Sequence, residues 1–353
     1  MAKANREDAE ESVALACLVH GVGRIRARRL LDAEGCPRAA LARAALPGVE
    51  IDRLRASLER TSHRLITPAD AAFPPLLREI PDSPLVLYVA GEPSVLARAA
   101  VAVVGARRCS RSGAANAAAF ARELAALGFV VVSGLALGID TAAHRGALQG
   151  GTTVAVLGSG LAQVYPGTNR PLARAILESG GALVSEYPPE LGARNYHFPE
   201  RNRLISGLSL GVLVVEAGEQ SGSLITARMG LEQGREVMAV PGSIGNPVAR
   251  GCHWLLRQGA SLVETVADVV ETLRVEPPLA VTEQRAPPAA PEPPPGLGAL
   301  LDLLGAETAT LDELCAASGL SAEILVAQLV ELELGGFVEQ IPGGYSRRGF
   351  RGG

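Results

Sequence analysis

From Leu85 onward the chain alternates short apolar runs with longer stretches of helical spacing. The runs Leu85–Val89, Val101–Val104, Val130–Ser133, Val154–Leu157, Leu183–Ser185, Val212–Val215, Val237–Val240 and Leu262–Val263 lack polar alternation, as strands do when both sheet faces are covered. Between them, Ala114–Leu127, Thr141–Gln149, Pro171–Glu178 and Leu224–Gln233 carry helical patterns. Strand–helix alternation of this kind predicts an α/β fold built on a doubly wound, mostly parallel sheet over residues 65–274.

The flanks read differently. In residues 1–64, helical patterns at Ser12–Val19 and Arg24–Leu31 flank Gly21-Val-Gly23, and Gly35-Cys-Pro37 follows. Helix, Gly-x-Gly, helix resembles a small SAM or helix-hairpin-helix domain, whose hairpin amides can meet a phosphate. An ordinary helix–helix corner gives the same pattern. Thr67–Pro84 is Pro-rich and irregular. Residues 275–297 form a Pro/Ala/Glu linker, an extended spacer without a core. Residues 298–353 then predict a winged helix: helices at Ala299–Leu304, Leu311–Ala317 and Ala322–Leu332, a hairpin strand Phe337–Ile341, a Pro-Gly-Gly turn and Tyr345. Asp302, Glu307, Asp312, Glu313, Glu323, Glu331, Glu333 and Glu339 lie there, and no Lys or Arg occurs between 298 and 345. Phosphates repel such a recognition helix, so this module is expected to pack or to contact protein. Its basic tail, Arg347, Arg348 and Arg351, offers a weak nucleic-acid contact.

Composition narrows the function classes. The 353 residues carry a formal net charge of −4, which excludes a protein that coats nucleic acid by net charge but not one with a local basic groove. Aromatic residues make up only 3% of the chain, so the core is aliphatic. Lys3 is the only lysine. All other basic side chains are arginines, which grip phosphate with a bidentate fork and stack on bases. Cys17, Cys36, Cys109, Cys252 and Cys315 are scattered without a C-x-x-C pair, so a reduced, cytoplasmic chain without zinc is expected. No apolar run is long enough to span a bilayer, and the N-terminus has no signal-like apolar region.

Candidate chemistry gathers in the loops that follow the strands. The first, Val103-Val-Gly-Ala-Arg-Arg-Cys-Ser-Arg-Ser-Gly113, combines Gly105 for a sharp turn with Arg107, Arg108, Ser110 and Arg111 at a helix start, a setting for an anion. It is not the G-x-G-x-x-G fingerprint, and Ser133 stands where an acidic ribose ligand is expected, so an NAD site is disfavoured. The second loop holds Ser133 and Gly134 and leads to Asp140 and His144, four apart on one helix face. An N-cap aspartate beside a structural histidine is favoured over an acid–base pair, since no nucleophile is tied to them. The third loop brings Gly158, Tyr165, Asn169 and Arg170, with Tyr165 able to stack on a base or to pack. Arg201, Asn202 and Arg203, two planar cations flanking an amide, precede the apolar run Val212–Val215. Ser221, Gly222 and Ser223 form a small-residue turn at a later helix start, with Thr226 one turn on. In an open α/β sheet all these loops meet at the carboxyl edge. Several separated phosphate sites along one edge suit a polymer better than a mononucleotide.

Seven segments, in order, resemble the DNA-processing protein A family (DprA, also called Smf). They are Ser133-Gly-Leu-Ala-Leu-Gly-Ile-Asp-Thr-Ala-Ala-His144, Val154-Ala-Val-Leu-Gly-Ser-Gly-Leu161, Tyr165-Pro-Gly-Thr-Asn169, Ser185-Glu-Tyr-Pro188, Phe198-Pro-Glu-Arg-Asn-Arg-Leu-Ile-Ser-Gly-Leu-Ser209, Ser221-Gly-Ser-Leu-Ile-Thr-Ala227 and Ala239-Val-Pro-Gly242. The resemblance covers about residues 67–272 strongly, and the flanking domains also look like the family's. It implies a Rossmann-like domain that binds single-stranded DNA without catalysis or cofactor. It further implies a homodimer that brings RecA recombinase onto incoming single strands in natural transformation, with single-strand binding protein as a further partner. By resemblance, Arg107 occupies the family's DNA-contacting position, Arg201 to Arg203 its Arg-Asn-Arg segment, and Ser221 to Thr226 its Ser-Gly-Ser turn. One departure is Gly167, where many members carry a basic residue after Tyr-Pro; Arg170 or Arg174 offers the charge instead. The rival reading is a nucleotide enzyme resembling the lysine-decarboxylase-like phosphoribohydrolases. Those use a Pro-Gly-Gly-x-Gly-Thr turn, whereas this chain has Gln220-Ser-Gly-Ser-Leu-Ile-Thr226.

Overall fold

The computed structural model describes residues 2–45, 52, 56–57, 63–279, 294, 296–304, 308–335, 337–341 and 344–347. The chain divides into two units, Met1–Ala280 and Val281–Gly353, which part inside the predicted linker. Most of that linker, the tip of the predicted wing at 342–343 and the tail arginines Arg348 and Arg351 lie outside the described residues.

The first unit is built on nine strands: β1 (Arg64–Ile66), β2 (Leu87–Gly91), β3 (Ala100–Val104), β4 (Val130–Ser133), β5 (Thr153–Val156), β6 (Ala182–Ser185), β7 (Gly211–Val214), β8 (Glu236–Ala239) and β9 (Ser261–Leu262). They lie in the order β1-β2-β6-β5-β4-β3-β7-β8-β9. From β6 to β9 every pairing is parallel. β2 pairs antiparallel with β6, and β1 antiparallel with β2. The sheet is thus mostly parallel and doubly wound, as the alternation predicts. β1 is absent from the sequence reading because three residues are too few to show a period. The first apolar run is shifted: the strand is Leu87–Gly91, because Leu85 and Val86 are buried ahead of it in the approach to the sheet.

Burial explains the unbroken apolar runs. Along β3, Ala100, Ala102 and Val104 enter the core on one face, while Val101 and Val103 enter the core on the other. Each strand residue is therefore covered whichever way it points. One layer contains α5 (Arg111–Ala126) and α6 (Ile139–Gly150). The other contains α8 (His197–Gly207) and α9 (Gly222–Glu232). In chain order the remaining helices of this unit are α1 (Ala2–Val22), α2 (Arg24–Glu34), α3 (Pro37–Ala44), α4 (Pro75–Arg78), α7 (Arg170–Glu178), α10 (Arg250–Arg257) and α11 (Val266–Leu273).

The first three helices pack on the β2–β6 end of the sheet, where Leu15, Leu18 and Ala27 share a core with Leu85, Tyr88 and Leu183. His20 stacks on Tyr88, and its Nε2 lies 2.7 Å from the Tyr88 hydroxyl. The predicted helical domain therefore belongs to the same compact unit as the sheet.

The second unit comprises α12 (Gly298–Leu304), α13 (Leu311–Ser318), α14 (Ala322–Leu334) and the antiparallel pair β10 (Val338–Ile341) and β11 (Gly344–Arg347). Leu300, Leu304, Leu314, Leu325, Leu329, Leu332 and Phe337 fill its core. Three helices closed by a hairpin form the winged helix predicted from the sequence. Among the described residues no single helix is long and apolar enough to cross a membrane.

Candidate nucleic-acid interface

Strand order places the site. From β3 the chain proceeds outward through β4 and β5, then returns to lay β7 on the other side of β3. The crevice beyond the carboxyl ends of β3 and β7 is the ligand position of doubly wound sheets. A cleft of about 560 Å³ opens there, lined by Gly105–Arg108, Asp140, Phe198, Arg201, Asn202, Gln220–Ser223 and Thr226. The two strand ends are stitched together: the Ala106 N–H donates to the Glu216 carbonyl at 2.7 Å. Gly105 is required by this close approach, since a Cβ there would lie 2.6 Å from the same oxygen.

Arg107 and Arg108 are exposed at the mouth of the cleft. The Arg107 guanidinium sits 5.4 Å from the centre of the Phe198 ring, a cation–π distance. Phe198 in turn lies 5.7 Å from Tyr165, which is half exposed. One wall of the cleft thus offers charge for phosphate and flat apolar rings for bases. Sequence reasoning did not single out Phe198. Its scarcity signal was there to use, in a chain with 3% aromatic residues.

The N-termini of α5 and α9, beside the cleft, differ. Ser110 caps α5, accepting the Gly113 N–H at 2.9 Å. That end is already filled: Glu216 accepts the Ser110 N–H at 2.8 Å and the Ser110 hydroxyl at 2.5 Å. Ser221 caps α9 through the Ser223 N–H. Among the described residues no carboxylate accepts a hydrogen bond from Ser221 or Ser223, and a Cβ added at Gly222 would meet nothing within 4 Å. The anion position expected at Ser110 therefore belongs to an internal acid, whereas the one at Ser221–Ser223 is open. Glu216, one residue past the apolar run Val212–Val215, was not among the candidate residues of the sequence analysis.

The Arg-Asn-Arg segment separates into three roles. Arg201 is buried, and its Nη1 donates to the carbonyls of Gly134, at 2.8 Å, and Val156. Burial lowers its pKa to about 10, with the nearby Asp140 carboxylate holding it up, so the guanidinium stays charged at neutral pH. Asp140 is pushed up by burial and held back by Arg201 and by the N–H groups of Ala136 and Gly134. Arg203 is also buried, with Nη2 donating to the Glu186 carboxylate at 2.6 and 2.7 Å and Nε to Asp82 at 3.1 Å. Arg24 of α2 binds the same Asp82 at 3.0 Å, so Arg203 helps fasten the N-terminal helices to α8. Between them, Asn202 is half buried and faces the cleft, its Nδ2 donating to the Gly222 carbonyl at 3.3 Å.

The other predicted positions fall into scaffold and surface. The Ser133 hydroxyl donates to the Val103 carbonyl at 2.7 Å inside the core. Gly134 is buried between Arg201 and Asp140, and Gly158 lies under the Phe198 ring. Asn169 is buried and donates to the Leu135 carbonyl and the Thr141 hydroxyl, both at 2.9 Å, shaping the second loop. Ser223 and Thr226 are mostly covered on the cleft floor, whereas Arg170 is exposed at the start of α7.

Asp140 is not an N-cap. Gly138 holds that position, and Asp140 sits in the first helical turn. His144 is fully buried with Nδ1 2.7 Å from the Thr153 hydroxyl, which itself donates to Val131. Burial and the charge of Arg201 push its pKa down to about 3. In the winged helix, α14 exposes Ile324, Val326, Val330 and Leu334 among Glu323 and Glu331.

Comparison with known proteins follows this geometry. The family model described as DNA recombination-mediator protein A matches residues 64–274, and a DprA winged helix domain model matches residues 284–344. The chain is 45% identical to Protein Smf of Escherichia coli over 295 residues, covering 82% of this chain and 79% of that protein. It is 43% identical to DNA processing protein DprA of Streptococcus pneumoniae, covering 63% of this chain and 78% of that one. The X-ray structure of the Streptococcus pneumoniae protein superposes with a TM-score of 0.60 at 40% identity, over 67% of this chain and 81% of that one. DNA processing protein A from Helicobacter pylori, described for its single-stranded DNA binding mode, superposes with a TM-score of 0.55 at 28% identity, over 61% of this chain and 97% of that one. With both its sheet domain and its winged helix matched, the chain belongs to the DNA recombination-mediator protein A family.

Proposed function

We propose that this protein binds single-stranded DNA in the carboxyl-edge cleft and presents it to RecA recombinase during uptake of transforming DNA. The observation that carries the reading is exposed Arg107 set over Phe198, with exposed Arg108 beside it, in a cleft that also holds the open N-terminus of α9. Arginines neutralise phosphates, the ring offers a stacking surface, and the α9 amides favour a further anion. Arg107, Arg108, Asn202, Ser221 and Gly222 make the contacts, with Tyr165 and Arg170 extending the path. Ser110, Ser133, Gly134, Gly158, Asn169, Arg201, Arg203, Ser223 and Thr226 shape the loops that hold them. Phosphate contacts position a strand without reading it, so sequence preference is weak.

A catalytic role as a nucleotide phosphoribohydrolase is less well supported. Asp140 and His144, the one acid–base candidate from sequence, are buried and engaged with Gly134 and Thr153. A homodimer has a surface to use: the β9 edge strand exposes half of Leu262, and α10 just before it exposes half of Trp254. Unpaired edge strands with apolar side chains favour association. RecA and single-strand binding protein remain the partners implied by family membership.

Fluorescence-anisotropy titration of labelled single-stranded and duplex oligonucleotides at two salt concentrations tests the reading. Selective, salt-sensitive binding of single strands is expected. Preference for blunt duplex, or release of free base from a nucleoside monophosphate, overturns it.

A further inference from the structure

We propose that Glu216 is a specificity-determining residue: it occupies the phosphate position of the nucleotide fold and thereby reserves the cleft for polymers. The inference rests on the single-strand reading above and deepens it. In a doubly wound sheet the helix after the first strand of the parallel core receives a nucleotide's diphosphate on its N-terminal amides. Here that strand is β3 and that helix is α5, sixteen residues long and capped by Ser110.

The Glu216 carboxylate lies on that terminus, more than nine-tenths buried, accepting the N–H and hydroxyl of Ser110, with the Asn246 amide 3.4 Å away. Gly113 is shaped around it. A Cβ on that residue would stand 2.2 Å from the carboxyl carbon, so any other side chain would displace the acid. The chain supplies the negative charge that a nucleotide's phosphate otherwise brings, in the space the phosphate needs. A second anion there would meet both a filled volume and a like charge.

Exclusion at this point has a definite consequence. A mononucleotide is left with the exposed cations at the mouth and the open terminus of α9, each a weak site. A strand engages them together, and its second contact is intramolecular once the first has formed. Discrimination between polymer and monomer then comes from closing the strongest monomer site, with no contact to any base.

The test uses the full-length protein and inorganic pyrophosphate as the probe, followed by calorimetry, in wild type, Glu216→Gln and Glu216→Ala. Glu216→Gln keeps the volume and one acceptor for Ser110 while removing the charge; Glu216→Ala also removes the bulk. Pyrophosphate binding is expected to be undetectable in wild type and to strengthen about tenfold or more in Glu216→Ala, with a smaller gain in Glu216→Gln. In the variants pyrophosphate should also compete with labelled single-stranded DNA. Failure of folded Glu216→Ala to gain pyrophosphate affinity overturns the proposal. Tight pyrophosphate binding by wild type does so as well, whether or not the variants fold. The calorimetric arm contains no DNA, so a wild type that ignores single strands sinks the functional reading without obscuring this result.

Discussion

Arg107 and Arg203 serve one cleft with the same side chain and opposite purposes. Arg107 is exposed and stands over an aromatic ring. Arg203 is buried against Glu186 and Asp82 and holds two parts of the fold together. Local sequence ranks them alike, since each is an arginine in the chain that follows a strand. What separates them is Asp82, more than a hundred residues from Arg203, and Glu186, at the end of another strand. A guanidinium contributes to a ligand site only when no carboxylate of its own chain has reached it first.

The sharpest way to break this contrast is Arg203→Ala. It leaves Glu186 buried without its cation and should cost about 3–5 kcal/mol of stability, read as a lower urea midpoint. Stability close to wild type would mean that the arginine is not a brace. Next in size, Arg107→Ala with Arg108→Ala should weaken single-strand binding about a hundredfold at low salt. It should reduce the slope of log affinity against log salt by about 1.4, at about 0.7 per lost phosphate contact, while the urea midpoint stays put. An unchanged slope would place the strand elsewhere.

Gly222→Glu would close the α9 terminus as Glu216 closes that of α5. A Cβ at Gly222 meets nothing within 4 Å, so affinity should fall about tenfold by anisotropy without loss of thermal stability.

A further effect is on pH dependence. Burial lowers the pKa of His20 to about 4 and that of His144 to about 3, from an unfolded value near 6.5. Between about pH 6.5 and 4 the unfolded chain takes up protons that the folded protein refuses, so stability falls as pH falls. The slope approaches about 1.4 kcal/mol per pH unit for each histidine. Denaturant melts at several pH values should show this fall, flattened in His20→Gln with His144→Gln. The smallest effect is expected from deleting residues 298–353, which should change single-strand affinity by less than about twofold, because α14 presents acids and aliphatic side chains. A large loss would make the winged helix part of the DNA path.

Much of this architecture is legible in the sequence because it is local or periodic. The seven parallel strands announce themselves as unbroken apolar runs, and the winged helix by three amphipathic segments before a Gly-rich hairpin. The cleft is legible too, since in a doubly wound sheet every strand-end loop must arrive at one edge. Strand direction at β2 is not legible, because antiparallel pairing leaves no mark on a five-residue run. Nor are the long-range partners of polar groups. Ser110 reads as an anion ligand until Glu216 is found 106 residues away, and Asn169 as a surface contact until its amide is seen bonding the carbonyl of Leu135.

The cations that face the cleft are all guanidinium groups, and Lys3 is the single lysine in 353 residues. Acetyl transfer, the usual covalent means of silencing a basic surface, needs a side-chain amine and finds none along this path. If single-stranded DNA is held there as proposed, its release is expected by exchange, when another strand or another protein takes its place.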